Sequence, residues 1–287
     1  MNKYFDLLKL VYIHPLMWAV IAVAVATAHF VEVSLLLFII FIHEMGHAAA
    51  AAFFSWRVRK ISLLPFGGVA EMEEHGNRPL FEEAIVVLAG PIQHVWLMVL
   101  GLFLYFSGLF PEYWYSLFIE YNLMILLFNL FPIWPLDGGK ILFLLFSLNK
   151  PFPEAHLHTL SFSAVSLMVF ILIVLLTAPF TLNVWIIMIF LAVSLYIEWK
   201  QRRYIFIRFL MERYYGKQEG FRSMKPLRVA KEDLLVNVLQ KFQRGCKHPV
   251  IVEHHGMETA LDENELLHAY FTDKLLTAKI SDLLYTY

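Results

Sequence analysis

Residues 33–47 read Val33-Ser-Leu-Leu-Leu-Phe-Ile-Ile-Phe-Ile-His43-Glu44-Met-Gly-His47, an apolar run that carries two imidazoles and a carboxylate into a helix predicted near 33–55. A buried ionisable group costs several kcal/mol in an apolar medium unless a metal, a partner or water satisfies it. Residues four apart on a helix share a face, so His43 and His47 can meet one zinc ion. Glu44, one residue round, can then reach a water beside that ion. The plain alternative is a self-satisfied polar cluster that glues helices together.

The surroundings are as apolar as the run itself. Of 287 residues 59% are hydrophobic and only 16% charged, with a mean hydropathy of +0.62. One compact core cannot bury so much apolar surface, and the second apolar solvent is lipid. A soluble fold is excluded and a polytopic membrane protein expected. No Asp, Glu, Lys or Arg interrupts Leu10–Val31, Val33–His43, Ala84–Pro111, Tyr121–Leu136 or Ala155–Ile197. Six helices are predicted, near 11–30, 33–55, 84–108, 115–131, 158–177 and 183–199, with Pro179, Thr181 and Asn183 marking the last turn.

Lys and Arg cluster in alternate connections: Lys3 and Lys9, then Arg57, Arg59, Lys60 and Arg78, then Lys140 and Lys150, then Lys200, Arg202, Arg203 and Arg208. Cytoplasmic loops carry such residues, so both termini are predicted to be cytoplasmic. A cleaved signal peptide ending at Ala26-Thr27-Ala28 is the rival reading, but its removal would spoil the alternation. Cys246 is the only cysteine, so an intramolecular disulfide is impossible.

A zinc hydrolase needs a third protein ligand and an open fourth position. Asp137 suits that place, following Asn129-Leu-Phe-Pro132-Ile-Trp-Pro135-Leu and preceding Gly138-Gly139. The prolines break the helix and the glycines permit close backbone approach, a combination tolerated at membrane depth only inside protein or beside a watery cavity. An interfacial cap is the alternative role for this aspartate.

Three separated motifs, HEMGH at 43–47, AGP at 89–91 and NLFPIWPLDGG at 129–139, resemble the site-2 protease family of intramembrane zinc metalloproteases, over roughly residues 10–200. The resemblance implies that His43, His47 and Asp137 hold one Zn2+ per chain, with Glu44 as general base and then acid. It also implies a membrane-associated regulatory protein as substrate, a sigma factor precursor, cut near the cytoplasmic side. Membrane-protein regulators or inhibitors and the lipid bilayer are the other implied partners, without direct contact to nucleic acid. Trp134 stands where relatives usually carry proline, and His94 where many carry asparagine; neither is expected to touch the metal set. Asn129 is a candidate donor to substrate, with helix packing as its alternative role. His14, His29, His75, His94, His156 and His158 are read as packing or interface residues.

Ile61-Ser-Leu-Leu-Pro-Phe-Gly67-Gly68-Val69-Ala70-Glu71-Met72 reads as a hairpin at the membrane edge. A helical substrate hides its peptide bonds, so an open strand edge through Gly67, Gly68, Val69 and Ala70 is the simplest clamp. A surface hairpin without that role is the alternative.

The texture changes in the last third, where residues 200–287 hold 15 basic and 11 acidic side chains against 8 and 13 before them. Leu234, Leu235, Val238, Leu239 and Phe242 form a helical stripe, residues 249–253 a strand and His255-Gly256 a turn. Asp262 with Glu265 makes a capping box before a second helix. This order resembles a single cystathionine-β-synthase (CBS) module, which implies an adenine nucleotide such as ATP as a second ligand and a homo-oligomer contact. Glu198–Tyr215 reads either as a basic amphipathic helix on the membrane surface or as a linker.

The fold class expected is an α-helical polytopic membrane protein with about six transmembrane helices, a small membrane-edge β-hairpin and a C-terminal α/β CBS-like domain. The expected domains are 1–199, a linker or interfacial helix at 200–221, and a cytoplasmic regulatory unit at 222–287. A zinc transporter is the leading alternative function, since it too places His and carboxylate in the membrane; no internal repeat supports it. An iron-dependent lipid desaturase needs adjacent His pairs, and the only such pair, His254-His255, lies in the tail.

Overall fold

The structure, a computed structural model, describes residues 3–64, 67–72, 78–177, 180–216, 223–254 and 257–284. It divides into two compact units: Met1–Glu74, Phe81–Ile141 and Ser163–Ala192 in the first, and His75–Leu80, Leu142–Phe162 and Val193–Tyr287 in the second.

The first unit opens with α1 (Lys3–Leu8), β1 (Val11–Ile13), α2 (Pro15–Ala26) and α3 (Phe30–Phe53), followed by β2 (Val58–Leu64), β3 (Gly67–Met72), α4 (Leu80–Phe106), α5 (Glu112–Asn129) and the start of α6 (Asp137–Ser147). Two long helices, α7 (Phe152–Thr177) and α8 (Leu182–Tyr215), contribute to both units. Helices α3, α4, α7 and α8 are long and apolar enough to cross a membrane. Lipid tails are as apolar as leucine, so such helices associate by close packing rather than by escape from water, and small residues mark their contacts. Gly46 on α3 is one: a methyl there would lie 2.6 Å from the Ala89 carbonyl oxygen of α4. On the neighbouring turns, Ala48 and Ala52 bury against Ile61 of β2 and Leu7 of α1. Farther up α3, Ile39 and Ile40 pack with Leu97 of α4 and with Phe118 and Ile125 of α5.

The first expected span is corrected. Val11–Ile13 is a strand, paired parallel with Ile61–Leu63, and the helix after it has 12 residues. At about 1.5 Å per residue that is roughly 18 Å, short of a hydrocarbon core near 30 Å. Pro15 explains the break: without an N–H it suits the first turn of a helix but not its interior, which leaves the preceding residues extended. His14 caps the new helix, its Nδ1 accepting from Leu16 N at 3.2 Å. The fourth expected span is α5, whose 18 residues include Glu112 and Glu120. β2 pairs antiparallel with β3, Leu64 opposite Gly67, and the sheet order β1-β2-β3 puts β3 at an edge. The hairpin turn at 65–66, Pro179 and the His255-Gly256 turn lie outside the described residues.

Between α5 and α6 the chain folds tightly. A methyl at Gly138 would sit 2.3 Å from the Leu130 and Phe131 carbonyl oxygens, and one at Gly139 2.6 Å from Trp134 N. Only glycine lets the first turn of α6 lie directly on that backbone, and the turn begins with Asp137. The Trp134–Pro135 bond is cis, and Trp134 N donates to Ser163 Oγ at 3.1 Å.

In the second unit α8 continues without interruption to Tyr215, into the segment 200–221 expected as a linker or interfacial helix, because no Gly or Pro occurs between Leu182 and Tyr215. The tail comprises β4 (Ser223–Met224), β5 (Leu227–Ala230), α9 (Leu235–Leu239), β6 (Cys246–Lys247), β7 (Val250–His254), β8 (Met257–Leu261), α10 (Glu263–Phe271) and α11 (Ile280–Leu283). One sheet has the order β5-β7-β8 and a second pairs β4 with β6. The capping box forms as expected: Asp262 accepts from Asn264 N at 2.8 Å, and Glu265 accepts from Asp262 N at 3.0 Å. Arg213, near the end of α8, is 1% exposed. Its guanidinium pairs with Glu263 (Nη2 to Oε2, 2.8 Å) and donates to the carbonyls of Gln243 and Cys246. Phe152 at the start of α7 stacks on Phe209 at 4.3 Å and donates its N–H to Phe242 O.

Candidate active site

Helix α3 turns His43 and His47 to one side, as their spacing predicts, and the first turn of α6 brings Asp137 to meet them. The Nε2 atoms of the two histidines are 3.1 Å apart, and Asp137 Oδ2 lies 3.1 Å from His43 Nε2 and 3.2 Å from His47 Nε2. All three side chains are buried. His47 Nδ1 bonds the Val86 carbonyl of α4 at 2.7 Å. A carbonyl only accepts, so Nδ1 carries the proton, and Nε2 of the neutral ring faces the Asp137 carboxylate as a bare lone pair. Two acceptors that close repel unless a cation lies between them. A tetrahedral zinc ion with ligands near 2.0–2.1 Å has edges of about 3.3 Å, which this triangle matches. His43, His47 and Asp137 also form a group of potential metal ligands on geometry alone. The residues therefore fit zinc, and three protein ligands leave one position open. The other carboxylate oxygen of Asp137 accepts from Lys140 Nζ at 3.4 Å.

Two glycines wall this site. A methyl at Gly90, the middle residue of the AGP motif, would lie 2.2 Å from His47 Nε2. A methyl at Gly68 on β3 would lie 2.2 Å from Glu44 Cγ and 2.6 Å from its Oε1. The hairpin backbone is thus in van der Waals contact with Glu44, which is itself buried. Gly67 has a φ of +143°, a left-handed value that favours glycine. Val69 beside them is 43% exposed and pairs with Ser62, while Ala70 pairs with Ile61. Asn129 ends α5 with its Nδ2 donating to Ile125 O at 3.1 Å, a bond within its own helix.

One expectation is overturned. His94, read as a packing residue and as a departure remote from the metal set, places its Nε2 3.0 Å from His43 Nδ1. Its other nitrogen lies 3.2 Å from Asn122 Oδ1, on α5. His94 and Asn122 are both fully buried. The signal that reveals His94 is its position four residues after Gly90, on the α4 face that meets His43 and His47. Asn122 had no local signal.

Comparison with known proteins agrees with this geometry. Residues 31–113 and 107–175 match peptidase family M50. The chain is 48% identical to stage IV sporulation protein FB of Bacillus subtilis over 100% of both chains. It is 36% identical to a zinc metalloprotease of Methanocaldococcus jannaschii, over 38% of this chain and 32% of that one. Among solved structures, the site-2 protease from Methanocaldococcus jannaschii superposes with a TM-score of 0.51 at 24% identity, covering 66% of this chain and 89% of that one. That likeness is one of fold. The family match and these relatives support a protease and not the transporter alternative. The chain belongs to peptidase family M50, the site-2 proteases, and is a zinc metalloprotease of the membrane.

Proposed function

We propose that His43, His47 and Asp137 hold the zinc and that Glu44 is the general base and acid for hydrolysis of a peptide bond in a membrane-associated protein. The observation that carries this reading is the contact of Gly68 with Glu44, because it puts the backbone of an edge strand beside the group that must move protons. When bound, zinc supplies the Lewis acid that polarises the peptide carbonyl and acidifies water. Glu44 takes the proton of the attacking water on its carboxylate and passes it to the departing amide nitrogen. β1 covers one edge of β2, and β3 presents the other edge of the sheet, where an extended substrate segment adds as a fourth strand. Gly67, Gly68, Val69 and Ala70 line this clamp. Asn129 is the candidate donor to the substrate from α5.

The substrate in this reading is a sigma factor precursor, pro-sigma-K, cut near the cytoplasmic face of the membrane around the forespore, on its mother-cell side. Full-length similarity to stage IV sporulation protein FB supports it. The Lys and Arg distribution supports cytoplasmic termini and a further pair of crossings, one made by the charge-free segment Leu10–Val31 as a whole rather than by α2 alone and one by α5, six in all. Residues 1–199 are the protease, and residues 222–287 are a CBS-like unit that binds an adenine nucleotide, docks substrate and supplies a homo-oligomer contact. The mixed β5-β7-β8 sheet and the capped α10 support that assignment.

The deciding experiment is zinc analysis together with cleavage of membrane-associated pro-sigma-K by the purified chain and its Glu44→Gln variant. Zinc in both and cleavage by the native chain alone are expected. Substantial turnover by the variant sinks the mechanism. ATP that alters neither cleavage nor tail protection removes the nucleotide from the reading.

A further inference from the structure

We infer that His94 and Asn122 are positioning residues that hold His43 in the tautomer with a bare Nε2, so that a side-chain relay across three helices prepares the metal site. The inference rests on the ligand set proposed above and deepens it.

Asn122 Nδ2 lies 2.8 Å from the Phe118 carbonyl oxygen. Only the amide nitrogen can donate there, so Oδ1 is the end turned to His94, and an amide oxygen only accepts. His94 Nδ1, 3.2 Å away, therefore carries the proton. In a neutral imidazole the other nitrogen is then an acceptor, and His94 Nε2 receives a hydrogen bond from His43 Nδ1 at 3.0 Å. His43 Nε2 is left with its lone pair, directed into the triangle with His47 Nε2 and Asp137 Oδ2. His47 reaches the same state through one main-chain acceptor, Val86 O. His43 needs two side chains, because the group that α4 offers it is another imidazole, which has either tautomer available until Asn122 selects one.

Partners of this kind orient a metal-binding imidazole and raise its basicity, and their loss weakens metal affinity by about 10–100-fold. The full-length chain in detergent is titrated with a series of competing chelators, and bound zinc is measured directly, with circular dichroism recording the fold. His94→Leu is expected to hold zinc about 10–100-fold more weakly than the native chain. His94→Gln is expected to recover most of that loss. Its carboxamide nitrogen can donate to Asn122 Oδ1 while its oxygen accepts from His43, the same donor and acceptor order as the native ring. Asn122→Leu, two residues removed from the ion, is expected to weaken zinc in the same direction.

Native zinc affinity in folded His94→Leu overturns the inference. Equal loss in His94→Leu and His94→Gln also overturns it, since the acceptor would then not matter. Should His94→Leu fail to fold, Asn122→Leu decides: unchanged zinc affinity there refutes the relay. His47→Ala separates the two levels of the argument. A native chain that binds no zinc, or a His47→Ala variant that binds it normally, defeats the ligand set itself. Normal zinc loss in His47→Ala with none in the relay variants defeats the relay alone.

Discussion

Gly68 of β3 lies against Glu44 of α3 so closely that a single added methyl would fall 2.6 Å from the carboxylate oxygen. In the proposed mechanism the relation joins the strand that would present a peptide to the group that would move its protons. Gly68→Ala is expected to lower cleavage by about 10²-fold, the cost of displacing a reacting group by roughly 1 Å, with zinc content unchanged. Turnover and metal analysis on one preparation check it. Gly68 lacks the left-handed φ of Gly67, so the loss would come from contact with Glu44 and not from backbone strain.

Asp137→Ala should lose zinc together with activity, since three protein ligands become two. Metal analysis after dialysis against a chelator distinguishes this from Glu44→Gln, which keeps zinc. Wild-type retention by Asp137→Ala would remove the residue from the site.

Val69 is the exposed residue next to Gly68 on the edge strand. A single cysteine at Val69, in a Cys246→Ser and Glu44→Gln background, is expected to form disulfides with cysteines that flank the scissile bond of the substrate. No disulfide from Val69, with disulfides formed only when the single cysteine is placed instead in the connection between α4 and α5, would refute the clamp.

Arg213 and Glu263 are 1% and 2% exposed. Removing one member of such a buried pair strands the other charge, at a cost of about 3–5 kcal/mol. Arg213→Ala is therefore expected to raise hydrogen exchange across β7 and α10 in the full chain. The Arg213→Ala, Glu263→Ala double variant should be less destabilised than the sum of the singles, which exchange rates on all four proteins would reveal.

The tail should also weaken on acidification. Burial pushes the His248 imidazole below its ordinary value, and the neighbouring Arg213 charge adds to the shift, against the hydrogen bond that the ring donates to the Lys225 carbonyl and the Glu263 charge, which oppose it. The unfolded chain then binds a proton more readily than the fold does. Stability is full above about pH 6.5 and declines as pH falls from there toward the lower folded value. At lower pH Asp262 adds a second loss. Burial would raise its pKa, but its hydrogen bonds to Lys247 and Asn264 N–H outweigh that and hold it below the ordinary carboxylate range. Exchange in α10 measured across this range checks the sign; protection that increases on acidification would contradict it.

Much of the site was legible because it is local. The spacing of His43 and His47 is a helical period, Asp137 is announced by Pro132, Pro135, Gly138 and Gly139, and the Asp262–Glu265 box is a four-residue pattern. Each depends on backbone geometry within about one turn, which sequence encodes directly. The four longest apolar helices followed from composition for a similar reason, since charge exclusion acts residue by residue. Other features were decided only when distant segments met. Val11–Ile13 had the composition of a membrane span, yet it is extended because Pro15 prevents a continuous helix and Ile61–Leu63 offers hydrogen bonds. His94 had no metal spacing, and its role exists only because α3, α4 and α5 converge on one buried point where a polar atom must find a partner. The sequence by itself determined which residues can bind and transfer; the tertiary structure decided which tautomer, strand edge and neighbour each of them has, because hydrogen bonds between helices depend on packing and not on order along the chain.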